Sequence, residues 1–307
     1  MDFEYAVIIR DKTRLEQLIE RFNTKAQARF YIDRVEGNFA RYEQEHATFY
    51  ESLQRVEQGL VKQLKVKVLD RSFLSTYIFN KKELIVVVGQ DGLVANSAKY
   101  VKGLPIIGVN PDPGYNNGAL LPYSPYNFHN AMQGLFNDTA TTQSVSMAEA
   151  EMNDGQRLMA FNDFYIGASS HVSSRYRITH GDRIENQSSS GVLVSTGAGS
   201  TGWLSSVFHM TENVNQHFHP GKESKSMKMD WTANHLLFVV REPFRSVNTQ
   251  VKLGFGRIDA KTPLFIESQM PGNGVVFSDG IEADHLKFDT GSTIRIGLAS
   301  EKARIVV

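Results

Sequence analysis

The sequence predicts an α/β domain with a parallel sheet, followed by a domain of antiparallel β-strands. Two observations support this prediction. In roughly the first half, short apolar strands alternate with helical segments, which is typical of a parallel sheet covered by helices. Later, strand-like runs follow one another with only turn residues between them. We place the α/β domain at residues 1–140 and the β-rich domain at 141–307, and leave open whether the last strand returns to the first domain.

Each element of the α/β part has its own signal. The run from Phe39 to Leu60 repeats apolar residues every three or four positions, as in an amphipathic helix. "LIVVV" (84–88) is continuously apolar, as expected of a central parallel strand covered on both faces. The other predicted elements are strands "YAVIIR" (5–10), "LKVKVL" (64–69) and "PIIGVN" (105–110), and helices at 92–101 and 126–136.

The second part contains eight strand-like runs separated by turn residues, which favours an antiparallel domain. They are "FYIGA" (164–168), "RYRI" (175–178), "GVLVST" (191–196), "HLLFVVRE" (235–242), "VKLGFG" (251–256), "LFIES" (264–268), "GVVFSD" (274–279) and "TIRIGLA" (293–299). We interpret "QSSSG" (187–191) and the mildly basic "KESKSMKMDW" (222–231) as loops.

The composition excludes several classes of protein. Lys+Arg and Asp+Glu both number 33, so the zero formal charge argues against nucleic acid or an anionic membrane as partner. The absence of cysteine excludes disulfides, thiolate metal sites and thiol nucleophiles, and fits a reducing compartment. No apolar run has membrane-spanning length and no cleavable signal is evident, so we expect a soluble, cytoplasmic protein. His217 and His219 lack an evident third ligand, and we predict no protein metal site.

The stretch "VVVGQDGL" (86–93) places an acid in a glycine turn between a buried strand and a helix. Such a turn is where open α/β sheets bind ligands, and the helix start favours phosphate. Asp91 in this turn would repel phosphate unless it orients a hydroxyl, accepts a proton or helps to hold a metal ion. From spacing alone, the commoner role is a cap of a helix beginning near Leu93.

Two downstream stretches also carry polar groups suited to a nucleotide. "VSTGAGSTGWLSS" (194–206) combines glycines and hydroxyl residues after an apolar strand, and the alternative is a plain Gly/Ser turn. Asn162 and Asp163 stand before a strand, where an amide and a carboxylate can bind a ribose diol or an adenine edge. Taken alone, a turn is the commoner explanation of that pair.

The order of these motifs resembles the NAD kinase family. The family motifs are Gly-Gly-Asp-Gly-Thr, Gly-Ile/Val-Asn ending near Gly-x-Leu, Asn-Glu, and Thr-Pro-Thr-Gly-Ser-Thr-Ala-Tyr. Here they correspond to "GQDGL", "IIGVNPDPGYNNGALLPYS", Asn162-Asp163 and the Ser/Thr/Gly loop, all within about residues 84–206. Weaker likeness extends to "VREPF" (240–244) and "FSDGIEADHLKFDTGSTIRIG" (277–297), and Pro111-Asp112-Pro113 is more similar to the mitochondrial-type branch.

The resemblance implies a nucleotide-binding α/β domain and a β domain with the site between them. It also implies ATP-dependent phosphorylation of the 2′-hydroxyl of the adenosine ribose of NAD, with Mg²⁺ accompanying the nucleotide, in a homo-oligomer. Asp91 matches the family's catalytic aspartate, the proposed general base. The matching nucleotide-binding residues are Gly89 and Gly92 in the phosphate loop, Asn162 and Asp163 at adenosine, and Thr201, Gly202, Trp203 and Ser206 along the dinucleotide.

The chain departs from the family pattern around this acid. Gln90 replaces the second glycine, where a positive φ would be strained, and Leu93 replaces the threonine hydroxyl. The other departures are Asp163 for glutamate, Ser190 for an aspartate, Gly197-Ala198 for Pro-Thr and Trp203 for tyrosine. Three alternatives remain open: an NAD kinase with changed kinetics, a kinase of a lipid or sugar hydroxyl, and a nucleotide-binding protein without turnover.

Overall fold

The computed structural model describes residues 2–115, 118–219, 221 and 228–307. The predicted loop at 222–231 therefore lies partly outside the described residues, as do Asn116 and Asn117 of the second motif. The chain divides into two compact units, which we call unit 1 and unit 2. Unit 1 comprises Met1–Gln143 together with Arg304–Val307, and unit 2 comprises Ser144–Ala303.

Unit 1 is an α/β structure. Its elements are β1 (Tyr5–Arg10), α1 (Arg14–Phe22), α2 (Lys25–Arg34), α3 (Phe39–Leu60), β2 (Lys65–Asp70), β3 (Glu83–Val88), α4 (Asp91–Ala98), β4 (Pro105–Val109) and α5 (Phe128–Phe136). The predicted strands and helices of this region are confirmed to within a few residues.

The strands of unit 1 form a parallel sheet in the order β2-β1-β3-β4. At the far side of β4, Arg304 and Ile305 pair in parallel with Pro105 and Ile106. Strand β3 is buried along its whole length, which is why its sequence is continuously apolar. The apolar stripe of α3 packs into the same core as β1 and β3. The loop between β3 and α4, residues 89–90, therefore begins at the carboxyl edge of this sheet.

Unit 2 holds most of the β structure. Its elements are β5 (Thr142–Met152), which begins at the unit boundary, β6 (Arg157–Ala160), β7 (Asp163–Ala168), β8 (Ser174–His180), β9 (Arg183–Ser189), β10 (Val192–Ser195), α6 (Trp203–Phe218), β11 (Leu236–Val240), β12 (Phe255–Ile258), β13 (Leu264–Ser268), β14 (Gly274–Ser278), β15 (Ile281–Lys287) and β16 (Thr293–Val306), whose last residues belong to unit 1.

Two layers of antiparallel strands form unit 2. One has the order β12-β11-β10-β7-β14-β15, and the other contains β9, β8, β13 and β16, with β5 paired to β16 and β6. Alternate residues of β10 explain the layering: Val192 and Val194 join the core that draws on both layers, whereas Leu193 packs with Leu204 of α6. Because β10 is covered on both faces, it carries no polar residue before Ser195.

The structure differs from the sequence prediction at several places in unit 2. Strands β5, β6 and β15 were not predicted, and only Phe255 and Gly256 of the predicted strand at 251–256 lie in a strand, β12. The segment 203–218 is a helix, α6, which the sequence analysis did not predict, and His217 lies in its last turn. Gln187–Ser189 of the predicted "QSSSG" loop belong to β9, whose buried positions are polar: Glu185, Gln187 and Ser189. A strand with a polar inner face lacks the apolar alternation on which strand prediction depends. No helix in the described part of the chain is long and apolar enough to cross a membrane.

Candidate functional site

Asp91 is the first residue of α4, directly after the turn that ends β3. Its carboxylate does not cap that helix. Instead, Oδ2 accepts a hydrogen bond from the Ala119 amide and Oδ1 accepts one from the Leu120 amide, both at 2.9 Å. The N-cap is Gln90, so the expectation that Asp91 caps a helix near Leu93 is wrong. Among the described residues, these two hydrogen bonds use two of the about four acceptor sites of the half-buried carboxylate.

These two amides belong to the "GAL" end of the second motif, which the fold brings against β4. A Cβ added to Gly108 would lie 2.1 Å from the Leu120 carbonyl oxygen, so only glycine permits this close approach. Gly108 lies in β4, and the Gly89 amide bonds the Val109 carbonyl at 3.2 Å. The first two motifs therefore meet at the carboxyl ends of β3 and β4, the edge at which parallel sheets bind ligands.

The two altered positions of the phosphate loop cause no backbone strain. Gln90 has φ −118° and ψ 163°, which any residue adopts, and its side chain is exposed. The expected strain at a positive φ is therefore absent at this position. Leu93 is buried and packs beside Gly89, where an added Cβ would lie 3.0 Å from Leu93 Cδ2. Gly92 is exposed, with no neighbour within 4 Å of an added Cβ.

In unit 2, Asn162 and Asp163 form the turn that enters β7. Carboxylate oxygens of Asp279 accept hydrogen bonds from three consecutive amides: Phe161 at 3.0 Å, Asn162 at 2.6 Å and Asp163 at 3.2 Å. On the other side of the turn, Thr196 Oγ1 donates to the Phe161 carbonyl at 2.6 Å. The turn is therefore fixed from two sides by residues distant in sequence.

Asp163 is buried, with only 8% of the residue exposed. Among the described residues, no hydrogen bond to its carboxyl group is present, and the negative charge of Asp279 acts on it. Burial, and then the Asp279 charge, raise the pKa of Asp163 to about 7. A neutral carboxyl group has an O–H donor and an acceptor oxygen. Near neutral pH, Asp163 can therefore offer both a donor and an acceptor to a base edge or a ribose.

The Ser/Thr/Gly loop connects β10 to α6 through a 3₁₀ turn at Ala198–Thr201. A Cβ on Gly199 would lie 2.1 Å from the Asn162 carbonyl oxygen, so this loop lies directly against the Asn162 turn. Thr201 and Gly202 are exposed where α6 begins, a position at which helix amides favour anions. Ser206 is also exposed, and its hydroxyl bonds back to the Gly202 carbonyl at 3.4 Å.

Trp203 lies on the wall of a cavity of about 870 Å³ within unit 2. Its ring is parallel to that of Tyr165, with centroids 6.0 Å apart and an interplanar angle of 10°, and Tyr165 in turn stacks on Phe277 at 5.0 Å. The Arg241 guanidinium lies 5.2 Å from the centre of the Trp203 ring. Ser190 lines the same cavity. Aromatic faces beside a cation suit a planar base that carries phosphate.

The fold thus gathers the predicted residues into two groups, each within one unit. Gly89, Asp91 and Gly92 lie together in unit 1, and the remaining predicted residues lie in unit 2. Sequence reasoning did not select Tyr165, Phe277, Arg241 or Asp279 as site residues. The last three fall in the weakly matched "VREPF" and "FSDG" segments, so a signal for them was present but slight.

Known proteins support the fold. No protein-family model matches the sequence, and no curated protein is significantly similar to it. Solved structures are similar over the whole chain. A crystal structure of an NAD kinase from Archaeoglobus fulgidus in complex with ATP aligns with a TM-score of 0.56 and 16% identity, covering 99% of this chain and 93% of that one. A yeast NADH kinase complexed with NADH aligns with a TM-score of 0.58 and 12% identity, covering 100% of this chain and 84% of that one.

At these identities the comparisons establish the fold. The α/β part followed by an antiparallel β part, predicted from the sequence, is confirmed, and the chain has an NAD kinase-like fold. The assignment to the mitochondrial-type branch from Pro111-Asp112-Pro113 stays a prediction.

Proposed function

We propose that this chain is a phosphotransferase that moves the γ-phosphoryl group of ATP to the 2′-hydroxyl of the adenosine ribose of NAD, which produces NADP. The observation that carries the proposal is the position of Asp91, a half-buried acid at the start of α4 whose two oxygens are fixed by backbone amides. The supporting observation is the fold shared with an ATP-bound NAD kinase.

In the proposed reaction, Asp91 is the general base. It accepts the proton of the 2′-hydroxyl as that oxygen forms a bond to the γ-phosphorus, and the bond from that phosphorus to the β,γ-bridging oxygen breaks to release ADP. The amides of Ala119 and Leu120 hold the carboxylate in one orientation, which lowers the entropy lost in reaching the reactive geometry. General-base catalysis of this kind contributes about 10²–10⁴-fold to the rate.

We assign recognition of the nucleotides to unit 2. Asn162 and Asp163 have the donors and acceptors required by adenosine, and hydrogen bonds from Asp279 and Thr196 hold their turn. The cavity beside Trp203 and Tyr165 offers stacking faces for a second ring, as a dinucleotide needs. The yeast structure contains NADH, so the reduced dinucleotide is included among the candidate substrates.

Mg²⁺ fits this site only as an ion that arrives with the nucleotide. Among the described residues, no group of three or more His, Cys, Asp or Glu side chains could hold a metal ion. Mg²⁺ commonly keeps several waters and is bound by one or two carboxylates plus substrate phosphates. Asp91 is the side chain that would contact the ion or its water shell, and the bound ion would neutralise charge on the transferring phosphate.

The test is incubation of the purified protein with ATP, Mg²⁺ and either NAD or NADH, followed by detection of NADP or NADPH. Asp91→Asn is expected to reduce turnover by about 10²-fold or more while nucleotide binding is retained. Asp33→Asn is the matched control, because Asp33 is an exposed acid on α2. Retained turnover in Asp91→Asn would refute the general-base role.

The wild-type result separates the alternatives. ATP binding without a phosphorylated dinucleotide would exclude NAD and NADH as acceptors, and ATP consumption with a panel of lipid and sugar hydroxyls would then identify another kinase activity. Binding of ATP and NAD with no product from any acceptor would identify a nucleotide-binding protein without turnover. We extend the proposal to a cytoplasmic homo-oligomer, for which light scattering after gel filtration measures the subunit number.

A further inference from the structure

Asp279 occupies a tight turn between β14 and β15. Ser278 and Ile281 are paired across the turn, and the two residues between them have positive φ, 54° at Asp279 and 70° at Gly280. A positive φ at both central residues defines a type I′ turn, in which the sequence Asp-Gly is favoured. This turn directs the Asp279 carboxylate at the amides of residues 161–163 rather than into its own hairpin.

All six backbone polar groups of residues 161–163 are engaged. The three amides donate to the Asp279 carboxylate. The Asp163 carbonyl accepts from the Asp279 amide at 2.9 Å, and the Asn162 carbonyl accepts from the Thr196 amide at 2.9 Å. The Phe161 carbonyl accepts from Thr196 Oγ1. Hydrogen bonds to a charged group are worth about twice neutral ones, so Asp279 supplies the larger share of this restraint.

We propose that Asp279 is a positioning residue for nucleotide binding: its carboxylate fixes the direction in which Asn162 and Asp163 present their side chains to a nucleoside. The inference rests on the proposed function, since it assigns a role within the same nucleotide site. Asp279 acts through the backbone of the turn. It limits the movement of the Asn162 and Asp163 side chains, which would otherwise move with the loop.

Asp279 also acts on Asp163 through its charge. Strand β10 places the neutral Ser195 opposite Asp163, and the charged group facing Asp163 from the β14–β15 turn is Asp279. After burial, the Asp279 charge is the second cause that raises the pKa of Asp163. Removal of that charge lowers the pKa of Asp163, which shifts the pH at which its carboxyl group stops being a donor.

The experiment compares wild type with Asp279→Asn, which keeps the shape and removes the charge. The affinities for ATP and NAD are measured by titration calorimetry across the pH range from about 5 to 9, which spans the raised pKa of Asp163. We expect affinity to fall about tenfold or more, from the loss of charge-assisted hydrogen bonds. We also expect the pH midpoint of binding to move below that of wild type. A generic loss of stability would not move that midpoint.

Two further variants isolate the effect. Asp259→Asn is the matched control, because the Asp259 carboxylate also accepts turn amides, those of Lys261 and Thr262, away from the Asn162 turn. It is expected to leave both readouts unchanged. Thr196→Val removes the hydroxyl that holds Phe161 and also accepts the Gly199 amide, while Asp279 stays charged. It is expected to weaken binding without moving the midpoint, and it tests positioning even if Asp279→Asn fails to fold.

Three results would overturn the inference. The first is equal affinity and an equal midpoint in wild type and Asp279→Asn, with the proposed function intact because wild type binds both nucleotides. The second is a loss of affinity in Asp259→Asn as large as that in Asp279→Asn. The third is an absence of nucleotide binding by wild type, which refutes the proposed function and the inference together.

Discussion

Replacement of Asp163 by asparagine is expected to stabilise unit 2 at neutral and alkaline pH. The Asp163 carboxyl group is buried and lacks a donor within the described residues, so its ionised form is disfavoured in the folded protein. Asparagine has nearly the same shape and stays neutral at every pH. The substitution therefore removes the cost of ionisation without opening a cavity.

The magnitude follows from the pKa of Asp163, which rises from an ordinary 3.8 to about 7. A shift of about 3 units corresponds to about 4 kcal/mol between the two protonation states. For an acid whose folded pKa is raised, the stabilising contribution is complete below the unfolded pKa and is lost as pH rises through the folded pKa. Wild type should therefore lose up to about 4 kcal/mol between about pH 4 and pH 7, whereas Asp163→Asn should not.

Tryptophan fluorescence is a suitable readout, because both tryptophans of the chain, Trp203 and Trp231, lie in unit 2. Urea unfolding at intervals between about pH 4 and pH 8 gives the free energy of unfolding for each variant. The difference between Asp163→Asn and wild type should be near zero at the acidic end and increase with pH. Asp182→Asn, which changes an exposed acid of the same unit, is the control and should show no such trend.

If the difference in free energy of unfolding between Asp163→Asn and wild type stayed constant from about pH 4 to pH 8, the reasoning would be refuted. That result would mean that Asp163 ionises normally in the folded protein. A fall in the stability of Asp163→Asn at all pH values would also contradict it, since an unpaired buried carboxylate should be the costlier group. The same two proteins can be titrated with ATP, and binding by Asp163→Asn should depend less on pH than binding by wild type.

Three further predictions follow from other contacts. Burial raises the pKa of Glu16, but its hydrogen bonds outweigh burial and lower that pKa to about 2. Glu16→Gln should therefore lower the free energy of unfolding by about 2 kcal/mol at pH 7, measured by urea unfolding. This difference between wild type and variant should disappear as pH falls from 4.5 through 2. Gly199→Ala would place Cβ 2.1 Å from the Asn162 carbonyl and should lower both stability and affinity for ATP by calorimetry, unlike Gly272→Ala in open space. The double variant Gln90→Gly with Leu93→Thr should raise turnover by less than about twofold, because Gln90 is unstrained. It should lower the free energy of unfolding in urea by about 1–3 kcal/mol, because Leu93 is buried.

The sequence predicts best those elements whose apolar pattern is simple. Strand β3 is buried on both faces, and its uninterrupted apolar run identifies it directly. The helix α6 was missed because its apolar residues are few on the packed side, where Leu204 is its one fully buried residue, and because glycines and serines precede it. Strand β9 was missed because polar side chains fill its inner face. For both α6 and β9, the identity of the residues that are buried depends on neighbouring elements, which the sequence pattern does not show.

The candidate site was predictable in its residues but less so in its contacts. Asp91 was identified from its place in a strand-turn-helix motif, yet its partners are backbone amides 28 and 29 residues away. The Asp279 carboxylate likewise bonds amides 116 to 118 residues away. An amide donor is the same for every residue except proline, so the sequence carries no mark of such a partner. Acids that hold distant backbone are therefore hidden from sequence reasoning.

Asp163 and Asp279, two acids of unit 2, lie in different environments. Asp279 accepts three amide hydrogen bonds, which favour a carboxylate, whereas Asp163 accepts none and is buried beside that charge. Burial beside Asp279 raises the pKa of Asp163, whereas the Asp279 carboxylate is held by three amides. In the proposed site, Asp279 holds the turn through its carboxylate, and Asp163 is the acid that meets the ligand. If the proposed function holds, such a pair separates positioning from recognition, and we expect the affinity of the site for a nucleotide to change with pH near the raised pKa of Asp163.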